Sequence, residues 1–134
     1  MDVINRLLKI GFLFIAMFCT LPSDGQNKKA KKFYDDGLLS YEKADYGFAI
    51  VNFTEAIKAY SSYAIAYQSL GRSYYFINNF ENAVQALKEA IKLDPKNQVN
   101  YYWRGSAYYR KNAHDSAITD LKVSIQMDPT FAPA

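Results

Sequence analysis

The chain reads as all-α, a solenoid of three helix-turn-helix repeats, and three observations carry that reading. The dipeptides Asp94-Pro95 and Asp128-Pro129 stand 34 residues apart, and alignment on that interval yields windows 30–63, 64–97 and 98–131 without insertion or deletion. Within each window two successive segments place apolar residues three and four apart, the spacing of an amphipathic helix. Small residues recur at fixed places: Gly37, Gly71 and Gly105 stand eighth, Ala49, Ala83 and Ala117 twentieth, and Ala56, Ala90 and Ser124 twenty-seventh.

Residues 1–25 precede the repeats and differ from them. Arg6 and Lys9 lead into the apolar run IGFLFIAMF at 10–18, and a polar stretch follows, the order of a secretory signal peptide. The run is too short to span a bilayer, which takes about 20 residues. Ser23 and Gly25 suit a cleavage site that would leave Gln26 first, with 26–29 as a short arm. Lys28, Lys29, Lys31 and Lys32 oppose translocation to some degree, and an uncleaved anchor is the alternative. The expected location is thus periplasmic or secreted on the outer side of a bacterial-type membrane. Cys19 is the only cysteine and leaves with the leader, so the mature chain has no disulfide and no thiol nucleophile.

The middle window shows the logic of each repeat. Its first helix carries Tyr67, Leu70, Gly71 and Tyr74; its second carries Ala83, Leu87, Ala90 and Ile91. Asn78 and Asn79 between them suit a turn and a helix N-cap. Glycine inside a helix costs roughly 0.5–1 kcal/mol against alanine, so its recurrence means that close helix approach outweighs the cost. Large apolar residues stand twenty-fourth (Phe53, Leu87, Leu121), and in the middle repeat the close approach is expected to seat Tyr67, Tyr74 and Leu87 around the contact. Pro95 and Pro129 end the second helices. Residues 132–134 repeat the opening of a window and read as a stub or the start of a fourth repeat.

With an aromatic fourth (Phe33, Tyr67, Tyr101), Gly eighth, Ala twentieth and Pro near the end, the chain resembles the tetratricopeptide repeat, best in YQSLGRSYYFINNFENAVQALKEAIKLDP. Asp36 and Arg104 replace the usual Leu seventh, Ser61 replaces Pro thirty-second, and His114 stands where Tyr46 and Phe80 stand. The resemblance implies a non-enzymatic interaction module or scaffold that holds a peptide or helix in a concave groove. It also implies that the second, fifth, sixth, ninth, twelfth and thirteenth residues of each repeat face that groove. The binding candidates are therefore Tyr34, Tyr41, Gln68, Arg72, Tyr75, Tyr102, Trp103, Tyr109 and Arg110, with Tyr41, Tyr75 and Tyr109 forming a ladder. Aromatic residues and Arg are the types that concentrate binding energy. Family members that grip the carboxylate terminus of chaperones resemble one another in Lys, Asn and Arg residues where this chain has Tyr34, Leu38, Ser69, Val99 and Trp103, so no such clamp is expected.

The stretch YYWRGSAYYR, 101–110, then divides: Tyr101 and Tyr108 go to the core, Tyr102, Trp103 and Tyr109 to the groove. Catalysis finds no support. His114, Asp115 and Ser116 are adjacent, whereas a triad converges from separate segments, and His114 reads as a half-buried packing residue. Neither a metal nor a cofactor is implied. A net charge of +3 is too small to argue for nucleic acid. No membrane contact is expected beyond the leader. Lacking a polar capping helix, the last helix with Ala117, Leu121 and Ile125 should expose an apolar strip and self-associate. The alternative makes the chain the first section of a longer array, or of a sensor or assembly protein.

Overall fold

The computed structural model describes residues 24–131. Residues 1–23, all of the leader but Asp24 and Gly25, and residues 132–134 lie outside the described residues, and with them the signal-peptide and fourth-repeat readings. Six helices follow one another without strands among the described residues: α1 Asp24–Glu42, α2 Tyr46–Ala59, α3 Ala64–Phe76, α4 Phe80–Leu93, α5 Gln98–Arg110 and α6 His114–Met127. Each packs on the next in chain order, and α3 also touches α5, so the first helices of successive repeats stand side by side.

The eighth-position glycines explain the tight pairing. A Cβ on Gly37 would lie 2.6 Å from Phe53, one on Gly71 2.5 Å from Leu87, and one on Gly105 2.9 Å from Leu121. No real Cβ fits there, so the twenty-fourth residue of each repeat fills the space of a missing side chain. Ala49, Phe53, Ala56, Ala83, Leu87 and Ala90 are fully buried as a result.

The turns between paired helices share one geometry. Ala44, Asn78 and Asn112, each fifteenth in its repeat, take the left-handed conformation with φ 58°, 61° and 61°. Asp45 and Asn79 then cap α2 and α4, accepting from the backbone N–H of Phe48 and Asn82 at 3.2 Å. Ala113 holds the same place before α6 and has no side chain to cap with. The second helices stop one residue before Asp94-Pro95 and Asp128-Pro129, and the Asp128 carboxylate accepts from the N–H and hydroxyl of Thr130.

Several expectations need correction. Residues 26–29 are not an arm but the first turns of α1, and their lysines ride on a helix. Tyr101 and Tyr108 are half-buried rather than core, as Tyr67 and Tyr74 are at the same places of repeat two, and the Arg104 guanidinium lies over both rings at 5.8 and 6.0 Å. His114 is exposed and meets the Tyr109 ring edge to face, 5.7 Å away. Ala117 is buried against α5, and the apolar residues left open on α6 are Ile118, Ile125 and Met127.

Two buried polar contacts join elements. Arg104 donates from Nε and Nη2 to both Asp120 carboxylate oxygens at 2.7 and 2.8 Å, tying α5 to α6 and raising the guanidinium's affinity for its proton. Gln68 donates to Asn100 at 2.7 Å, joining repeats two and three.

Candidate functional site

The site grows from the first helices α1, α3 and α5. Their twelfth, ninth and sixth residues meet across repeats, and the meeting point is Arg72. Its guanidinium lies 5.0 Å from the Tyr41 ring on one side and 5.2 Å from the Trp103 ring on the other. Such stacking over a ring face attracts a cation by about 0.5–2 kcal/mol, more as water is excluded. Arg72 forms no ion pair among the described residues, and its Nε is buried without a hydrogen-bond partner. Burial pushes the Tyr41 hydroxyl above the ordinary tyrosine range, an effect eased by the Arg72 charge beside it; the phenol stays neutral.

A continuous row of rings extends from this centre. Phe76 stacks on Tyr46 at 4.9 Å and touches Tyr41 at 5.9 Å and Trp103 at 5.7 Å. Trp103 goes on to Tyr75 at 5.3 Å and Tyr102 at 5.4 Å, and Tyr102 to Phe131 at 5.5 Å. Most pairs meet edge to face, the arrangement aromatic quadrupoles favour. Arg110 covers Phe80 at 4.6 Å and Tyr75 at 5.8 Å while donating to Asn78.

Of the nine sequence-selected residues, Tyr41, Arg72, Tyr75, Tyr102, Trp103 and Arg110 come together in this row. Tyr34 does not: it packs on Phe53 and Tyr63 and shares a hydrogen bond with Ser69. Gln68 is buried, its amide committed to Asn100, so no ligand reaches it without breaking that bond. Tyr109 is 61% exposed and separate from the row. The ladder is graded because Tyr41 and Tyr75 are each covered by the following repeat and Tyr109 has none over it among the described residues. Solvent-facing aromatics were expected; instead the rings are half-buried against each other and help hold repeats together.

Phe76 is the residue that selection passed over. It stood at the thirteenth place of repeat two, a groove position, yet its role as a hub depends on Tyr46 and Trp103 from other elements. Among the described residues no group of three His, Cys, Asp or Glu side chains could hold a metal.

Residues 71–112 match a family described as "TPR repeat", and residues 100–131 match one described as "Tetratricopeptide repeat". Residues 71–131 thus carry tetratricopeptide repeats, and the six-helix array has the fold of such domains. No curated protein sequence matches it. Among solved structures it is similar to the Arabidopsis OM64 TPR domain, with TM-score 0.78, 23% identity, and coverage of 79% of this chain and 88% of that one. The first TPR of Spaghetti (RPAP3), bound to the HSP90 peptide SRMEEVD, matches with TM-score 0.76 and 19% identity over 78% of this chain and 83% of that one. The TPR2B domain of yeast Sti1, in a complex with pHsp70, matches with TM-score 0.73 and 24% identity over 75% and 81%. In this tetratricopeptide-repeat fold the row of rings lies along the first helices. The places expected for a chaperone clamp hold Tyr34, Leu38, Ser69, Val99 and Trp103, which offer no cluster of cationic and amide donors.

Proposed function

We propose that this is a protein-interaction module whose concave face receives a peptide bearing apolar and acidic groups, and that it acts by binding rather than catalysis. The observation that carries the reading is Arg72, a cation held between Tyr41 and Trp103 with no carboxylate of its own. A ligand carboxylate can pair with it, while apolar side chains lie on the half-open rings of Phe76, Tyr75 and Tyr102. Similar domains bound to chaperone peptides support a peptide as the occupant. The missing clamp argues against the same peptide.

The test is an array of immobilised short peptides differing in acidic and aromatic content, with SRMEEVD as a reference. Peptides combining both features should bind and SRMEEVD should not. Arg72→Gln should weaken binders about 30-fold, the 2 kcal/mol expected of a central anchor, with helicity unchanged. Capture that ignores acidic content, or persists in Arg72→Gln, would overturn the reading. Trp103→Ala should weaken both binding and stability, since its ring joins repeats. The stability loss should fall below the roughly 3–5 kcal/mol of a fully buried aromatic.

Export is part of the proposal. The apolar run behind Arg6 and Lys9 supports it, and cleavage after Gly25 would leave α1 nearly whole. Intact mass of the exported protein should begin at Gln26; a soluble exported species retaining Met1 would count against it.

A further inference from the structure

Repeats two and three each have a hollow between their paired helices, built from equivalent places. In repeat three it encloses about 290 Å³ beside Arg104, Tyr108 and Asp120, with Asp115, Ser116 and Thr119 of α6 on its far side. Tyr101, fourth in that repeat, does not line it. The Arg104 guanidinium lies at that end, 5.8 Å from the Tyr101 ring and 6.0 Å from Tyr108, held by both Asp120 oxygens.

In repeat two the hollow encloses about 240 Å³ and does reach the fourth place. Buried Leu70 and Ala86, half-buried Tyr67 and Tyr74, and exposed Glu89 line it. Leu70 and Ala86 stand where Arg104 and Asp120 stand in repeat three, so the two tyrosines are kept and the cation over them is replaced by apolar side chains. A carboxylate is kept as well. It has moved from the twenty-third place to the twenty-sixth, three residues along the same face of the second helix, where repeat three has Val123. Burial pushes the Tyr67 hydroxyl above its ordinary range and the Glu89 charge adds to this, which places phenol and carboxylate close together. Glu89 meets Lys92 at 3.6 Å, a loose contact between side chains 48% and 75% exposed. Such surface pairs are weak, and a closer cation displaces them.

We infer that the hollow of repeat two takes an arginine side chain from a partner protein, its stem on Leu70 and Ala86 and its guanidinium over Tyr67 and Tyr74 beside Glu89. Arginine suits it better than lysine. Its planar, weakly hydrated head stacks on rings, and its aliphatic stem covers apolar surface. No residue of the Arg72 row lines this hollow, so it is a second contact point with the opposite charge preference.

The test adds acetyl-Gly-Arg-Gly-amide to the isotope-labelled full chain and follows the backbone amide resonances. Peptides with citrulline, norleucine or lysine in place of arginine serve as comparisons. The arginine peptide should shift the amides of Tyr67, Leu70, Ala86 and Glu89. The uncharged citrulline and norleucine peptides should bind about tenfold more weakly, as expected for a lost cation–ring contact, with lysine in between. Glu89→Gln, a surface change, should weaken arginine binding about fivefold. Leu70→Arg with Ala86→Asp builds the repeat-three pair into repeat two and should abolish binding with helicity retained; if that variant unfolds, Glu89→Gln decides. Absence of shifts at the four residues, equal binding of any comparison peptide, or unchanged affinity in Glu89→Gln would each overturn the inference.

Discussion

Gly71 and Gly47 are both helical, and replacing each by Ala should act in opposite directions. At Gly71 the new Cβ meets the buried Leu87 Cγ at 2.5 Å, and overpacking of a filled core costs about 1–3 kcal/mol. At Gly47 its nearest neighbour is an Asp45 oxygen at 3.8 Å, so the gain in helix propensity, about 0.5 kcal/mol near a helix end, is realised. Thermal melts of the two variants should move down and up respectively. A second residue-level prediction concerns Arg104 and Asp120, whose side chains are 18% and 7% exposed. Arg104→Leu alone leaves a buried carboxylate without its partner, costing about 3 kcal/mol. Arg104→Leu with Asp120→Ala reproduces Leu70 and Ala86 of repeat two and should recover most of that loss. A denaturant double-mutant cycle measures the difference. Arg104 was legible as a departure from the pattern. The pairing was not, because Asp120 lies sixteen residues away and only the packing of α5 on α6 joins them.

At the scale of elements, the three repeats serve as controls for one another. The left-handed turn residue is Asn in repeats two and three but Ala44 in repeat one. An alanine there is strained by about 1 kcal/mol that Asn tolerates better, through local hydrogen bonding. The capping residue is Asp45, then Asn79, then Ala113. Ala44→Asn should stabilise by up to about 1 kcal/mol, and Ala113→Asp by about 0.5–2 kcal/mol, since it supplies the missing acceptor at the start of α6. The two sites are in different repeats, so urea midpoints of the double variant should be near the sum.

At the scale of the molecule, repeats are joined by packing and by a few charged contacts, and one of these gives a pH dependence. Glu81 at the start of α4 accepts from Lys111 just past α5, and this hydrogen bond holds its carboxyl below the usual range. A depressed carboxylate contributes stability above its unfolded pKa and loses it as pH falls through the lower folded value. Melting temperature should therefore drop on acidification below about pH 4.5, and Glu81→Gln should flatten part of that drop. The pair is at the surface, so added salt should shrink the difference.

The sequence by itself determined the fold class, because a 34-residue period with Gly and Ala at fixed places admits only one way for helix pairs to nest. It also placed Tyr67, Tyr74 and Leu87 around the Gly71 contact, and the structure decided that the twenty-fourth residue of each repeat, Phe53, Leu87 or Leu121, fills the gap. Only the tertiary structure decided which groove residues stay available. Position in a repeat says which way a side chain leaves its helix but not what the neighbouring repeat lays over it. Thus Gln68 is taken by Asn100, Tyr34 by Phe53 and Tyr63, and Arg72 is caught between rings from two other helices. The partners of Gln68 and Arg72 lie about one repeat away in the chain and those of Tyr34 later in its own repeat, and contact between them depends on helix spacing, which the small residues set and the rotamers of large ones complete.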